Sequence, residues 1–340
     1  MIVVKKLRLA LSMLIMLLLA GCSVLYKPVG GTLNAYAEDV ALSDFLTYQD
    51  VDLLCESGGS LLPLINSFKD VGAKTHKITT TLFLLGGFCA EQKAHEFEVL
   101  QLIADQAGDY TGAKNYAVLK QRELAKAARR QYASYQNAVT IFPSDKSANG
   151  EAACPTLAEK QDELIFLLGN LQGVEAILND GKSGALANVP KNIVNDIYRS
   201  MDCISNVRWW GVPQAVQAAL LGFLPNLDRD KAGQIDNILD VSVRMGRTKQ
   251  TPLAETVALA AWEGQGADAK VEALIQSHFE YARQAEYDPN WLAVAYISNR
   301  HLENKSDILQ LEAKKNMASD PSQPYLIQDE PEMELDLDDI

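Results

Sequence analysis

Four cysteines beyond residue 22 are the side chains of this sequence that could form covalent cross-links. They are Cys55, Cys89, Cys154 and Cys203. No two of them form a CxxC pair and their spacings are wide, which argues against a structural zinc site. An even number of cysteines favours two disulfides in an oxidising compartment. Three pairings are possible. We favour Cys55 with Cys89 and Cys154 with Cys203, because sequence neighbours in a helical array are usually neighbours in space.

No signature of catalysis or of metal binding is evident in the sequence. Glu91 and His95 are one helical turn apart, as a pair of metal ligands would be, but no HExxH motif is present. The remaining histidines, His76, His278 and His301, lack the spacing of ligands. There is also no GxSxG, P-loop or GxGxxG motif. We therefore predict no catalytic residue, no metal and no cofactor.

A basic stretch in an otherwise acidic chain is the first candidate binding surface. It lies on the helix predicted over Asp109–Phe142, where only Glu123 opposes the positive charges. Such a surface could bind an anionic ligand, a lipid head group or an acidic partner segment, and a solvated helix face is the alternative. The candidate residues are Lys120, Arg122, Lys126, Arg129 and Arg130.

Two adjacent tryptophans, Trp209 and Trp210, form the second candidate surface at a corner between predicted helices. Adjacent aromatic side chains can stack on a sugar or anchor a protein partner. Packing in the core at a tight turn is the alternative. The other two tryptophans, Trp262 and Trp291, lie in apolar helical runs and are predicted to be core residues.

The elements that position these residues are predicted to be helices. From Glu38 onward apolar residues recur at steps of three and four, and no alternating strand pattern of useful length appears. We expect an all-α fold of about ten antiparallel helices joined by short loops. Stacked helix hairpins would make a tetratricopeptide-like array, or α-solenoid, of degenerate repeats, since no strict 34-residue period is present.

Glycine, proline and capping residues predict where these helices begin and end. Gly58-Gly59 should end the first helical run, and Gly86-Gly87 should mark a kink or a close helix contact inside a longer helix. Thr156 to Glu159 reads as a capping box that opens a helix. Pro190 to Asn206 should form one helix, and a break is expected just before Ser306.

Composition divides the chain and excludes one class of partner. A Ser/Asn/Gly-rich loop over 143–153 separates a predicted N-terminal helical part, 38–142, from a C-terminal helical part, 154–315. Residues 316–340 contain eight acids and no basic residue, which predicts a disordered acidic tail. The formal charge of −13 argues against nucleic acid as a partner.

The N-terminus has the organisation of a secretory signal. Lys5, Lys6 and Arg8 precede an apolar stretch at 9–19, and small residues lead to Cys22. Leu19-Ala20-Gly21-Cys22 resembles the lipobox of bacterial lipoproteins. This resemblance implies that residues 1–21 are removed and that Cys22 becomes a lipidated N-terminus, followed by a tether at 22–37. Ser23 stands where an aspartate favours inner-membrane retention in that family, which implies the periplasmic face of the outer membrane.

The lipobox, the stretch from Ala41-Leu42 to Phe68 and the long helix Ala113–Ala138 together give a further resemblance. They are similar to the T-component family of TRAP-type transporters. That resemblance implies a lipid-anchored, tetratricopeptide-like scaffold or binding protein that works with a periplasmic protein partner, and oligomers are possible.

Two other functions remain open at this point. One is an envelope enzyme acting on peptidoglycan, which a buried acid with a raised pKa in a cleft would favour. The other is a carrier that holds a small molecule in a pocket between helices.

Overall fold

The computed structural model describes residues 28–143 and 154–313. Every regular element in these two ranges is a helix and no strand occurs there, so the predicted all-α class is confirmed. The arrangement into tetratricopeptide-like hairpins stays a prediction. Cys22, the signal sequence and the acidic tail lie outside the described residues.

Twelve α-helices follow one another in the described ranges. In chain order they are α1 Leu42–Leu46, α2 Val51–Ser67, α3 His76–Gln106, α4 Tyr110–Ile141, α5 Lys160–Lys182, α6 Ile193–Ser200, α7 Val212–Phe223, α8 Arg229–Ala232, α9 Ile235–Thr248, α10 Leu253–Gly264, α11 Asp268–Ala282 and α12 Leu292–Glu312. None of these helices is long and apolar enough to cross a bilayer.

Two glycine pairs lie inside helices, and only one of them was predicted to do so. Gly58-Gly59 does not end the first run, because α2 continues through it. A Cβ added at Gly58 would lie 2.7 Å from the Cβ of Leu85, so packing against α3 requires this glycine. Gly86-Gly87 marks a close helix contact, as expected, since a Cβ at Gly87 would lie 2.7 Å from Cγ of Gln131.

Three other predicted helix boundaries were wrong. The α5 helix begins at Lys160, and the preceding Glu159 makes no capping hydrogen bond, so the capping pattern from Thr156 does not set its start. The helix predicted over Pro190–Asn206 is reduced to α6 and a 3₁₀ turn. The α12 helix passes through Ser306 without a break, and that serine is fully buried.

Residues 28–36, predicted as part of the tether at 22–37, are helical. The side chain of Asn34 explains how this segment is attached. It is only 7% exposed, and its Nδ2 donates to the Lys74 carbonyl at 2.9 Å and to Glu38 at 3.0 Å. The first described residues are therefore part of the folded chain.

The described chain divides into two compact units. Unit 1 comprises 28–94, 121–143, 154–205 and 289–294, and unit 2 comprises 95–120, 206–288 and 295–313. Each of the predicted halves, 38–142 and 154–315, contributes residues to both units.

Unit 1 is built around α5, whose residues are buried on most sides. Gly169 allows this close packing, since a Cβ there would lie 2.2 Å from Cβ of Ala138. Both cysteine pairs also lie in unit 1. The sulfurs of Cys55 and Cys89 are 2.21 Å apart and those of Cys154 and Cys203 are 2.12 Å apart, which confirms the predicted pairing.

Unit 2 is built around α7, which packs against α9 and α10. Trp210 and Gly211 turn the chain into α7 with φ angles of 59° and 81°. A Cβ added at Gly211 would lie 2.8 Å from the Ser242 carbonyl oxygen, so the turn requires glycine there for both its backbone angle and its space.

Candidate functional site

A groove of about 370 Å³ in unit 2 is the candidate binding site. One wall is a face of α9, because Asp240, Val243, Arg244 and Arg247 follow the spacing i, i+3, i+4, i+7. Two of these four side chains are cationic and one is acidic.

The opposite wall is a face of α11 with the same spacing. It presents Lys270, Ala273, Leu274 and Ser277, and Trp262 of α10 completes the lining. The groove therefore combines an apolar surface from alanine, leucine and tryptophan with cations on both walls.

Arg247 is held in this wall by a buried carboxylate. Its Nε and Nη2 donate to the two oxygens of Glu255 at 3.0 and 3.1 Å, the fork geometry that suits a carboxylate. The Nη2 atom also donates to Oγ of Ser277 at 3.0 Å. The Glu255 side chain is 0% exposed, so the arginine is fixed from the protein interior.

Glu255 stays ionised because of its partners. Burial by itself would raise the pKa of this carboxyl, but hydrogen bonds from His278 and Arg247 outweigh burial and lower the pKa. The Nδ1 atom of His278 lies 2.9 Å from Oε2 of Glu255, and the histidine is 1% exposed. Burial and the nearby Glu255 raise the pKa of Tyr281 to about 12, so its hydroxyl is a neutral donor, at 3.4 Å from the Arg247 carbonyl.

Asp236 positions the second wall in a similar way. Its carboxylate accepts a hydrogen bond from Nε1 of Trp262 at 2.9 Å and pairs with Nζ of Lys270 at 2.7 Å. These two interactions lower the pKa of Asp236. Because Asp236 is exposed, water screens this ion pair and its main effect is to orient the two side chains. The Lys270 ammonium also lies 5.4 Å from the centre of the Trp262 ring.

Arg244 is the cation of the groove that has no ion-pair partner among the described residues. It is exposed, and its guanidinium makes no hydrogen bond or ion pair within the described ranges. The groove can therefore bind an anion. No cluster of three or more potential metal ligands occurs in the described part of the chain.

Unit 1 holds a different polar cluster, centred on Glu175. Its Oε2 accepts hydrogen bonds from Nε2 of Gln131, at 3.3 Å, and from Nε2 of Gln172. Asn179 then donates from Nδ2 to Gln131 at 2.8 Å and to Glu91. The partners of both carboxylates in this cluster are thus neutral amides.

The pKa of Glu175 is raised well above its usual range, first by burial and second by the charge of Glu91, while the hydrogen bond from Gln172 opposes the rise. Two acceptors of the cluster, Oε2 of Glu91 and Oε1 of Gln172, have no hydrogen-bond partner among the described residues. A proton on Glu175 would add a donor to a cluster that is short of donors.

No protein-family model, no curated protein and no solved structure gives a significant match to this chain. Its function is therefore inferred from the sequence and from the geometry of these sites.

The predicted basic residues are mostly engaged within their own units. Their partners are Glu98 for Lys120 at 2.9 Å, Glu123 for Lys126 at 2.6 Å, the Gly86 carbonyl for Arg130 at 2.6 Å and the Leu186 carbonyl for Arg129 at 3.5 Å. Arg122 is exposed and makes no such contact within the described ranges. A role for these five residues in ligand binding stays a prediction.

All four tryptophans are buried. Trp209 and Trp210 are 0% and 4% exposed and pack edge to face with ring centres 5.3 Å apart, which is the core-packing alternative. Trp291 is also a core residue, with the Lys160 ammonium 4.8 Å from its ring. Trp262 has a second role that was not predicted, because part of its surface lines the groove.

Sequence reasoning did not find the groove. The sequence does contain a signal for the two walls. The i, i+3, i+4, i+7 spacing occurs both in the set that includes Arg247 and in the set that includes Lys270. It could not identify which two helices face one another, because that depends on the packing of α9 and α11 in unit 2.

Proposed function

We propose that this chain is a lipid-anchored, extracytoplasmic helical binding protein of the bacterial cell envelope. The observation that carries this proposal is the pair of cysteine bridges in unit 1, since disulfides persist in oxidising compartments and are rare in the cytosol. The export signal and the lipobox ending at Cys22 support the same compartment.

Acyl chains on Cys22 would hold the protein at the membrane, each buried methylene contributing about 0.8 kcal/mol to attachment. Ser23 favours the periplasmic face of the outer membrane as the location. A protein partner in the periplasm, such as the solute-binding protein of a transport system, fits the resemblance to the T-component family. The all-helical fold is consistent with the stacked hairpins of that family.

The intact mass of the chain extracted from envelopes tests this proposal. We expect a chain that begins at an acylated Cys22 and in which Cys55, Cys89, Cys154 and Cys203 are oxidised. Cys22→Ala should leave a larger precursor in the inner membrane, while the neighbouring Ser23→Ala should be processed normally. A chain that still begins at Met1, with free thiols, would contradict the proposal.

Affinity capture of the lipidated protein from envelopes then tests the binding role. The partner would be identified as a periplasmic protein that co-purifies with the wild-type chain and is lost on washing at high salt.

An envelope hydrolase is a second candidate, and the raised pKa of Glu175 is the observation that favours it. A carboxyl with a raised pKa can serve as a general acid on a glycan. However, the hydrogen bonds from Gln131 and Gln172 both engage one oxygen of Glu175. Release of peptidoglycan fragments by the wild-type chain, lost in Glu175→Gln, would establish this function, and we expect no release from either protein.

A further inference from the structure

We infer that the groove in unit 2 binds a small organic anion, namely a carboxylate or phosphate group attached to an apolar body. This inference rests on the proposed binding function and names the chemical class of its ligand. The observations behind it are the lining of the groove, the way a buried carboxylate fixes Arg247, and Arg244, which has no side-chain partner among the described residues.

The size and lining of the groove suit a small molecule. A volume of about 370 Å³ lies at the lower end of the ~300–1,000 Å³ typical of ligand sites. Trp262, Leu274 and Val243 line the groove, but they are only 4%, 5% and 7% exposed, so the apolar surface they offer is small and would contact one edge of a ring or a short alkyl chain. Such a mixture of apolar surface and a few fixed polar groups is what holds a ligand in one orientation.

One cation of the groove, Arg247, is preorganised. Glu255 and Ser277 occupy Nε and Nη2 of Arg247, which leaves Nη1 without a hydrogen bond to any described residue. Because the buried Glu255 already orders this side chain, a ligand does not have to immobilise it, and that saving increases affinity. Lys270 on the other wall lies beside Trp262 and pairs with Asp236, but this pair is exposed and screened by water.

The balance of charge places the anionic group of the ligand beside α9. Glu255 and Asp236 offset the charges of Arg247 and Lys270, whereas Arg244 has no ion pair within the described ranges. Asp240 is the single acid in the lining and lies one turn before Arg244. The anion should therefore contact Arg244 and the free Nη1 of Arg247. This partial neutralisation predicts moderate affinity, and it argues against a highly charged polyanion.

Titration of the purified full chain with four small probes tests the inference. Phenylacetate and phenyl phosphate carry both parts of the expected ligand and distinguish a carboxylate from a phosphate. Phenylacetamide keeps the apolar body without the charge, and acetate keeps the charge without the body. Calorimetry and the shift in the thermal midpoint report binding directly. We expect at least one phenyl anion to bind about tenfold more tightly than either control, the scale of one hydrogen bond to a charged group.

Two arginine variants separate the groove from general charge effects. Arg244→Gln should weaken binding of the phenyl anion about tenfold or more. Arg283→Gln should leave it unchanged, because Arg283 is also an exposed arginine of unit 2 without a side-chain partner within the described ranges, but lies outside the groove lining. Lys270→Gln provides a second groove variant on the opposite wall and should also weaken binding.

Several results would overturn the inference. These are no binding of either phenyl anion at about 10 mM, equal binding of phenylacetamide, or equal losses in Arg244→Gln and Arg283→Gln. The titration is independent of where the chain resides in the cell. If the chain binds a phenyl anion but is not processed at Cys22, the inference about the groove stands and the proposed envelope location is wrong. If the chain is processed at Cys22 but binds neither phenyl anion, only the proposed ligand class is wrong.

Discussion

Each unit contains a glutamate in its interior, and the two glutamates have hydrogen-bond partners of different kinds. Glu255 in unit 2 is hydrogen-bonded to an arginine and a histidine. Glu175 in unit 1 is hydrogen-bonded to two glutamine amides and lies close to a second carboxylate, Glu91. Burial disfavours the ionised form of both, so the difference between them comes from the neighbours.

The comparison shows that the effect of burial on a carboxyl depends on its hydrogen-bond partners and on the nearest charge. Hydrogen bonds from His278 and Arg247 lower the pKa of Glu255 despite its burial, whereas burial and the nearby Glu91 raise the pKa of Glu175 despite the hydrogen bond from Gln172. Only the charged Glu255 can serve as a fixed support for Arg247 in the groove. The proposed groove lies in unit 2 beside this ion pair.

The two units also differ in their covalent links. Both disulfides lie in unit 1, and unit 2 contains no cysteine among the described residues. Among the described residues, unit 1 therefore has cross-links that unit 2 lacks, and the pKa of its Glu175 is raised, whereas the pKa of Glu255 in unit 2 is lowered. Reductant and pH should consequently affect the two units in different ways.

Arg247→Met should produce the largest loss. It leaves the charge of the buried Glu255 without its main cation, and breaking such a pair costs about 3–5 kcal/mol. Denaturant unfolding at pH 7 measures this change in the free energy of unfolding. Arg283→Met is the control for removing an exposed arginine and should change stability by less than about 0.5 kcal/mol. Similar values for the two variants would show that Arg247 is not a structural partner of Glu255.

Removal of a disulfide should have the next largest effect. Closing loops of 34 and 49 residues is expected to contribute about 3–4 kcal/mol per bridge. The double variant Cys154→Ala/Cys203→Ala should therefore unfold at a lower denaturant concentration than the wild type. Reductant should also lower the denaturant concentration at which the wild type unfolds. If reductant leaves the wild type unchanged and mass mapping finds free thiols, the pairing is absent from the protein in solution.

Glu175→Gln should change the pH dependence of stability by about 1–3 kcal/mol, the cost of an unsatisfied buried polar group. A raised pKa means that the stabilising protonated form is fully present below the ordinary glutamate range and is lost as the pH rises through the raised value. The variant should therefore be more stable than the wild type at a pH above the raised pKa, and similar to it at a pH below the ordinary glutamate range.

Glu56→Gln is the matched control for that experiment, because Glu56 is an exposed glutamate of the same unit. Parallel pH profiles for the wild type and Glu175→Gln would contradict the raised pKa of Glu175.

The pH dependence that Glu255 gives to unit 2 has the opposite sign. The lowered pKa of Glu255 means that its stabilisation is present above the ordinary glutamate range and is lost as the pH falls through the lowered value.

Truncation after Lys315 should have the smallest effect on stability. Residues 316–340 have a composition that buries little apolar surface, so the thermal midpoint should move by less than about 4 °C. Removing their eight carboxylates should raise the low-salt affinity for an acidic ligand. That gain should fade as the Debye length falls from about 10 Å at 0.1 M salt to about 3 Å at 1 M. A larger fall in the midpoint would show that these residues pack on the domain.

The sequence predicted those features that depend on local patterns. Helical periodicity identified the all-α class, and sequence neighbours identified the pairing of Cys55 with Cys89. It failed where packing overrides a local signal, as at Gly58-Gly59, which continues a helix because α3 lies against it. The groove depends on which faces of α9 and α11 meet, and the charge of Glu255 depends on Arg247 and His278 from other helices. None of these tertiary neighbours can be read from spacing alone.

The most direct test of this account is an NMR titration of the glutamate side-chain carboxyl carbons in the intact protein. Glu175→Gln assigns its own signal by removing it without creating a charge, and through-space contacts to His278 assign Glu255. Glu255 should lose its proton below the ordinary glutamate range, and Glu175 should lose its proton above it. If both carboxyls titrate in the ordinary range, two claims are contradicted. One is that hydrogen bonds from Arg247 and His278 stabilise ionised Glu255, and the other is that a proton stabilises Glu175.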